Sequence, residues 1–335
     1  MKNVLYIGNA LSSKGKTTTS VESLGAKLGE LHTLKIASNK SNKILRLLDM
    51  IKVVVKNRSW ADYILIDTYS TTNFYYALII SQLARWFNIK YIPVLHGGNL
   101  ENRLKNSKKI SDVIFNNAYR LVSPSNFLKN VFEDYGFNNV LYIPNAIELE
   151  NFEFQNRDIK TIKLLWLRSF SEIYNPKLAV LVLEELVSRG YQAELTMVGP
   201  EIDGSMEASR ILAETKNLNV NFTGKLDRKQ WTNLAKDCNV FINTTNFDNM
   251  PVSVIEAMAL GLPVVSTNVG GLPYLIAHKK EGLLVPPNDA YAMSEAVIRL
   301  MKDKNLKENI VNNARKKVEQ FNWEAVKPKW KSLLS

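Results

Sequence analysis

Strand-length apolar runs alternate with helix-length amphipathic runs along this chain, and the alternation starts afresh near the middle. NVLYIG (3–8), TLKIAS (33–38), YILIDT (63–68), YIPVLH (91–96), RLVSPS (120–125) and VLYIPN (140–145) read as strands, with helical stretches such as TSVESLGAKLGEL and YYALIISQLARWF between them. TIKLLWLR (161–168) opens a second series, continued by AELTMVG (193–199), NVNFTG (219–224), NVFINTT (239–245), LPVVST (262–267) and GLLVPP (282–287). Apolar strands separated by helices mean βαβ units and a parallel sheet covered on both faces. The 335 residues suit two such domains in series. We therefore expect an α/β chain with one doubly wound, Rossmann-like domain over 1–150 and a second over 151–319. Ligands of such sheets bind at the carboxyl ends of the strands, so the chemistry is sought there.

Composition narrows the function classes. Hydrophobic residues make up 46% and charged residues 22%, ordinary values for full cores. The single cysteine, Cys238, precludes an internal disulfide and reads as a small buried residue. No run approaches the ~20 apolar residues that span a bilayer, and the N-terminus enters a strand without the apolar core of a secretory leader. A cytoplasmic protein is the expectation. The formal charge of +11 is uneven: residues 1–150 hold 19 Lys/Arg against 11 Asp/Glu, and the remainder hold 24 against 21. A basic first half suits a polyanionic surface. No zinc spacing, RNA-binding signature or basic zipper is present, so nucleic acid is not an expected partner. KILRLLDMIKVVVKNRSW (43–60) mixes basic and apolar residues at helical spacing, and ENRLKNSKK (101–109) is also basic. The first reads either as a core helix with a solvated basic face or as a helix that lies on an anionic membrane.

Two loops carry candidate chemistry. GNALSSKGKTTTS (8–20) follows the first strand, and its Ala10 to Thr17 differ in one residue from the phosphate-binding G-x-x-x-x-G-K-[ST] pattern. Gly8 ends the strand, Gly15 permits a tight loop, and Lys14 and Lys16 are candidate anion ligands. Taken alone, this loop supports a nucleoside triphosphatase with Asp67 as its magnesium carboxylate. The second stretch, NTTNFDNMPVSVIEAMALGLPVVSTNVGG (243–271), reads as strand, loop, short helix, strand and loop. Pro251 suits the first helical position, and Gly261 with Pro263 ends the helix. Free N–H groups near Met250, Val252 and Ser253 would form an anion site at the helix start. Asp248 and Glu256 would accept hydrogen bonds from sugar hydroxyls.

DNMPVSVIEAMALGLPVVSTNVGG resembles the signature of retaining glycosyltransferases of family 4, which have the GT-B fold: Glu, seven residues, Glu, then A-M-A-x-G-x-P-V-V and a Gly-Gly loop. Asp248 stands where the family has its first Glu, and Glu256 matches the second, which holds the ribose of a nucleotide sugar. The resemblance extends over most of the chain. His96, followed by Gly97 and Gly98, matches the family's histidine beside the donor sugar, whereas His32 and His278 lack such a context and read as structural. SPSNFLKNVFEDYG and VLYIPNAIELENF resemble the segments that close the first domain. LLWLRSFSEIYNPK matches the second domain's first strand, which makes Arg168 the pyrophosphate ligand. Ile173 occupies the position of the family's lysine, and Lys177 either replaces that lysine or is a solvated helix charge. NFTGKL, with Gly224 and Lys225, resembles the loop beside the nucleotide base.

The resemblance implies two Rossmann-like domains facing a cleft, with the closing helix at about 320–335 packed back on the first. It implies a retaining, metal-independent transferase of the hexosyltransferase type. The donor is a nucleoside-diphosphate sugar, with UDP first and GDP second by family habit, and the acceptor a glycan or lipid-linked hydroxyl in surface polysaccharide or glycolipid synthesis. His96, Arg168, Asp248 and Glu256 are the expected catalytic residues. Gly8, Gly15, Lys177, Gly224, Asn249, Met250, Pro251, Val252, Gly270 and Gly271 join them in donor binding. No Asp-x-Asp pair suits a metal, and no other cofactor is implied. Peripheral contact with the inner face of the membrane fits the basic first half. The alternatives are the triphosphatase and a GT-B epimerase or binding protein without transfer.

Overall fold

The computed structural model describes residues 1–14, 19–97 and 99–335 and divides into two compact units, Met1–Ala146 with Trp323–Ser335, and Ile147–Asn322. Among the described residues the first unit has strands β1 (Asn3–Ile7), β2 (Thr33–Ala37), β3 (Tyr63–Thr68), β4 (Lys90–Leu95), β5 (Leu121–Ser123) and β6 (Val140–Tyr142), all parallel, in the order β2-β1-β3-β4-β5-β6. Helices α1 (Ser20–Leu28), α2 (Lys43–Lys56), α3 (Asn73–Trp86), α4 (Leu100–Asn106), α5 (Lys108–Phe115) and α6 (Asn126–Asp134) connect them. The two-residue period of a strand sorts its side chains between the faces. Leu5, Ile7, Ile64 and Ile66 bury one face against Met50 and Val54 of α2 and Phe74, Ala77 and Ile80 of α3. Val4, Tyr6, Leu65, Ile92 and Val94 bury the other against Val21 and Leu28 of α1 and Trp323, Val326, Trp330 and Leu333. A fully buried side chain of this size contributes about 1.5–3 kcal/mol, so the segment from Trp323 is integral to this unit.

The second unit repeats the plan with β7 (Ile162–Leu167), α7 (Pro176–Ser188), β8 (Ala193–Val198), α8 (Ser205–Thr215), β9 (Val220–Gly224), α9 (Arg228–Leu234), β10 (Val240–Asn243), α10 (Val252–Ala259), β11 (Val264–Thr267), α11 (Leu272–Leu275), β12 (Leu283–Val285), α12 (Ala290–Lys302) and α13 (Lys304–Glu319). Its strands are parallel in the order β12-β11-β10-β7-β8-β9. The last helix, α14 (Trp323–Leu333), belongs to the first unit. Strand order reverses between β1 and β3 in one sheet and between β7 and β10 in the other. In doubly wound sheets the ligand crevice opens at those points, outside the carboxyl ends. Among the described residues no helix is long and apolar enough to cross a membrane.

Candidate functional site

At the first reversal, three strands contribute to one buried cluster. Asp67 lies near the end of β3, and His96 directly follows β4, where its N–H donates to the Thr68 carbonyl at 2.9 Å. The Tyr6 hydroxyl donates to Asp67 Oδ1 at 2.8 Å, and His96 Nε2 lies 2.8 Å from the same oxygen. The Tyr69 ring stacks on the imidazole with centroids 4.8 Å apart, and Ser20 Oγ lies 3.5 Å from His96 Nδ1. Burial, reinforced by Asp67, pushes the Tyr6 phenol well above its ordinary range, so it remains a donor. Asp67 Oδ2 is buried without a partner among the described residues. A Cβ on Gly8 would sit 2.6 Å from it, so Gly8 makes room for the carboxylate. Among the described residues Asp67 is thus enclosed by Tyr6, His96 and Gly8. Gly15, Lys16, Thr17 and Gly98 lie outside the described residues.

The second reversal is built largely from backbone. Arg168 directly follows β7 and pairs with Asp248, from the loop between β10 and α10. Its guanidinium also lies over the Tyr174 ring, 4.0 Å from the centroid. Burial pushes the Asp248 carboxyl up, while Arg168 and the N–H groups of Asn249 and Met250 oppose that shift. Pro251 is the N-cap of α10 rather than its first helical residue; its carbonyl receives the first-turn bonds from Val254 and Ile255. Gly271 N–H donates to the Asp248 carbonyl at 2.8 Å. A Cβ would meet the Asp248 carbonyl oxygen at 2.2 Å if built on Gly270, or that of Asn249 at 1.7 Å if built on Gly271. At the end of β8, a Cβ on Gly199 would meet the Arg168 carbonyl at 1.8 Å. Only glycine fits where main chains approach this closely.

Glu256, in the second turn of α10, is buried, and burial raises its carboxyl to about 7 against the opposing charge of Arg228. Arg228 lies 4.0 Å from Glu256 and 3.6 Å from Glu148. Two buried donors beside this cluster, Arg168 Nε and Ser253 Oγ in the first turn of α10, have no partner among the described residues. Arg168, Asp248, Asn249, Met250, Gly270 and Gly271 are thus brought together, with Pro251, Val252 and Glu256 on the adjoining cap and helix. Lys177 is exposed near the start of α7, and Ile173 is exposed too. Gly224 ends β9 at φ 71°, its carbonyl accepting the Gly199 N–H at 2.9 Å, and Lys225 is exposed. His278 Nδ1 accepts the Leu284 N–H, His32 is buried, and burial raises the Cys238 thiol to about 12. Sequence reasoning missed Tyr6, Ser20, Tyr69, Tyr174 and Arg228, which carry no motif. It also missed Gly199, whose place after a strand is a readable signal.

The family model of the glycosyl transferases group 1 matches residues 148–317. Capsular polysaccharide biosynthesis glycosyltransferase CapM of Staphylococcus aureus is 31% identical over 155 residues, which are 44% of this chain and only 40% of that protein. Sucrose-phosphate synthase from Thermosynechococcus elongatus superposes with a TM-score of 0.82 at 19% identity, over 99% of this chain and 98% of that one. Anabaena HepE in complex with UDP-glucose gives 0.77 at 16% identity, over 100% of this chain and 99% of the other. At such identities the likeness shows the fold, the paired six-stranded parallel sheets of GT-B.

Proposed function

We propose that this chain, which belongs to the group 1 glycosyl transferases, moves a sugar from a nucleoside-diphosphate donor to a hydroxyl of a glycan or lipid-linked acceptor, with retention and without a metal, as family 4 enzymes do. The carrying observation is the pair of unpartnered buried donors, Arg168 Nε and Ser253 Oγ, at the carboxyl end of β7 and the first turn of α10. Donors there fit an anion held at a helix start. Arg168 and the α10 N-terminus stabilise the departing diphosphate, since groups aimed at developing charge supply most of the rate enhancement in such catalysis. Glu256 takes the ribose hydroxyls, Asp248 the sugar, and His96 we assign to the sugar on the resemblance. HepE, which binds UDP-glucose, supports UDP as the first choice of base, with GDP second. CapM supports a role in surface polysaccharide synthesis.

Thermal shift with UDP, GDP, ADP and ATP, each with and without magnesium, tests this reading. A ligand at 100 times its Kd stabilises the fold by about 2.7 kcal/mol. We expect UDP or GDP to raise Tm equally with and without EDTA. A response only to ATP with magnesium overturns the proposal in favour of a triphosphatase. Donor binding without transfer to any acceptor supports the epimerase or binding protein instead.

The membrane side of the proposal rests on α2. Its outward residues Ile44, Leu45 and Leu48 are 70%, 57% and 55% exposed, with Lys43, Lys52 and Lys56 also exposed around them. Its one acid, Asp49, accepts the Ser38 hydroxyl at 2.5 Å. At the helix start, buried Arg46 donates to Asn9 in the loop after β1 at 3.2 Å. A basic, apolar face beside a strand-end loop suits an anionic bilayer that presents a lipid-linked acceptor, on the cytoplasmic side. The protein should co-sediment with vesicles containing phosphatidylglycerol and not with pure phosphatidylcholine, and Leu45→Glu with Leu48→Glu should abolish this. Equal binding to both vesicle types, or to neither, rules it out.

A further inference from the structure

We infer that Asp67, backed by Tyr6, is a positioning residue that grips the His96 imidazole by Nε2 and leaves Nδ1 as the nitrogen offered to a sugar hydroxyl; the inference rests on the proposed assignment of His96 to the sugar. The ring is constrained on every side the structure describes. Its Nε2 edge meets Asp67 Oδ1 at 2.8 Å, its face lies on Tyr69, and its backbone N–H is held by Thr68. Oδ1 already accepts the Tyr6 hydroxyl and serves as acceptor for the ring as well, so Nε2 carries the proton and Nδ1 keeps its lone pair. The neighbour of Nδ1, Ser20 Oγ at 3.5 Å, is too distant for a strong bond, and another hydroxyl can replace it. A carboxylate that fixes an imidazole's tautomer and direction acts through the ring without touching the ligand.

Stability does not account for this carboxylate. Asp67 is 3% exposed, and His96 is its one ion-pair neighbour among the described residues. Its Oδ1 is shared by two donors while Oδ2 has none among the described residues. A buried polar oxygen left unpaired costs the fold free energy, and Gly8 is needed beside it. A group that burdens the fold and orients a neighbour at the strand-order reversal is placed there for what the neighbour does.

The test combines a spectrum, a melting curve and kinetics on the full chain. In water, proton NMR should show one downfield imidazole N–H protected from exchange, present in the wild type and absent from His96→Gln and Asp67→Ala. Absence from the wild type, or persistence in Asp67→Ala, overturns the inference. Asp67→Ala should lose about tenfold or more in kcat with donor KM changed less than threefold, while Asp67→Asn, whose amide oxygen still accepts from Tyr6 and His96 Nε2, should keep most of the activity. Unchanged kcat in Asp67→Ala overturns the positioning role, and so does a drop in Tm large enough to explain the loss. Tyr6→Phe should keep the N–H signal and lose less activity. If the wild type turns over no nucleoside-diphosphate sugar, the transferase reading fails while the spectrum still decides how the ring is held.

Discussion

The two reversal points hold a buried carboxylate in opposite ways. Asp67 is held by side chains: a tyrosine from β1, a histidine from the end of β4, and space left by Gly8. Asp248 is held by Arg168 and by its own chain's N–H groups, with Gly199, Gly270 and Gly271 letting main chains press together around the pair. The first cluster gathers side chains around one imidazole. The second is a charged pair with spare donors at a helix start, the arrangement expected where an anion is received. A common sheet plan thus supports two different chemistries, because plan fixes where side chains converge and not which ones do.

The largest effect should come from removing the cation. Arg168→Ala should lower kcat/KM by about a thousandfold, the scale for one lost charge-stabilising group. It should also lower Tm, since Asp248 is then buried without its ion pair. Next comes Glu256→Gln, which should weaken UDP binding by about ten- to a hundredfold, as lost buried hydrogen bonds to charged groups predict. The same change should raise the ligand-free Tm at pH 8. The Glu256 carboxyl rises from 4.5 to about 7 on folding, so the folded state binds more protons across that interval and stability falls as pH rises through it. At roughly 1.4 kcal/mol per unit, the relief at pH 8 is at most on the order of 3 kcal/mol, and it should vanish at pH 4. A Tm gain equal at both pH values would remove Glu256's charge from the account.

A smaller contrast sharpens the comparison directly. Gly271→Ala drives a Cβ into the Asn249 carbonyl, whereas Gly8→Ala drives one into the Asp67 side chain. Backbone yields less readily than a side chain, so Gly271→Ala should cost the upper end, and Gly8→Ala the lower end, of the about 1–3 kcal/mol typical of overpacking. Equal losses in chemical denaturation would show that the two clusters are equally plastic. The smallest effect belongs to Lys177→Ala. Lys177 is exposed, so donor KM should move by about twofold or less; a tenfold rise would mean that it does replace the lysine missing at Ile173.

What was legible in the sequence follows the same division. Each strand run survives as a strand, most with trimmed ends, because the apolar period that marks a buried strand is also what buries it. The cluster around Asp248 was legible because backbone close approach demands glycine and a helix start favours proline, and both leave marks at fixed spacing. The Tyr6–Asp67–His96 contact left none. Its members lie 61 and 29 residues apart, and although Asp67 and His96 each draw notice alone, nothing in their spacing pairs them. The place of Pro251 was misjudged for a local reason: sequence shows that a helix begins, but not which residue caps it. Arg228 was invisible because only the packing of α9 brings it to Glu256.

The segment from Trp323 also sets an order of events during synthesis. The first six strands leave the ribosome long before Trp323, Val326 and Trp330, which cover the face bearing Val4, Leu65 and Ile92. Between them the whole of Ile147–Asn322 must be translated, a delay on the order of ten seconds at about 5–20 residues per second. The unit begun second is therefore the first whose residues are all available. Through that interval the earlier sheet exposes an unfinished apolar face, the kind of surface that chaperones engage on nascent chains.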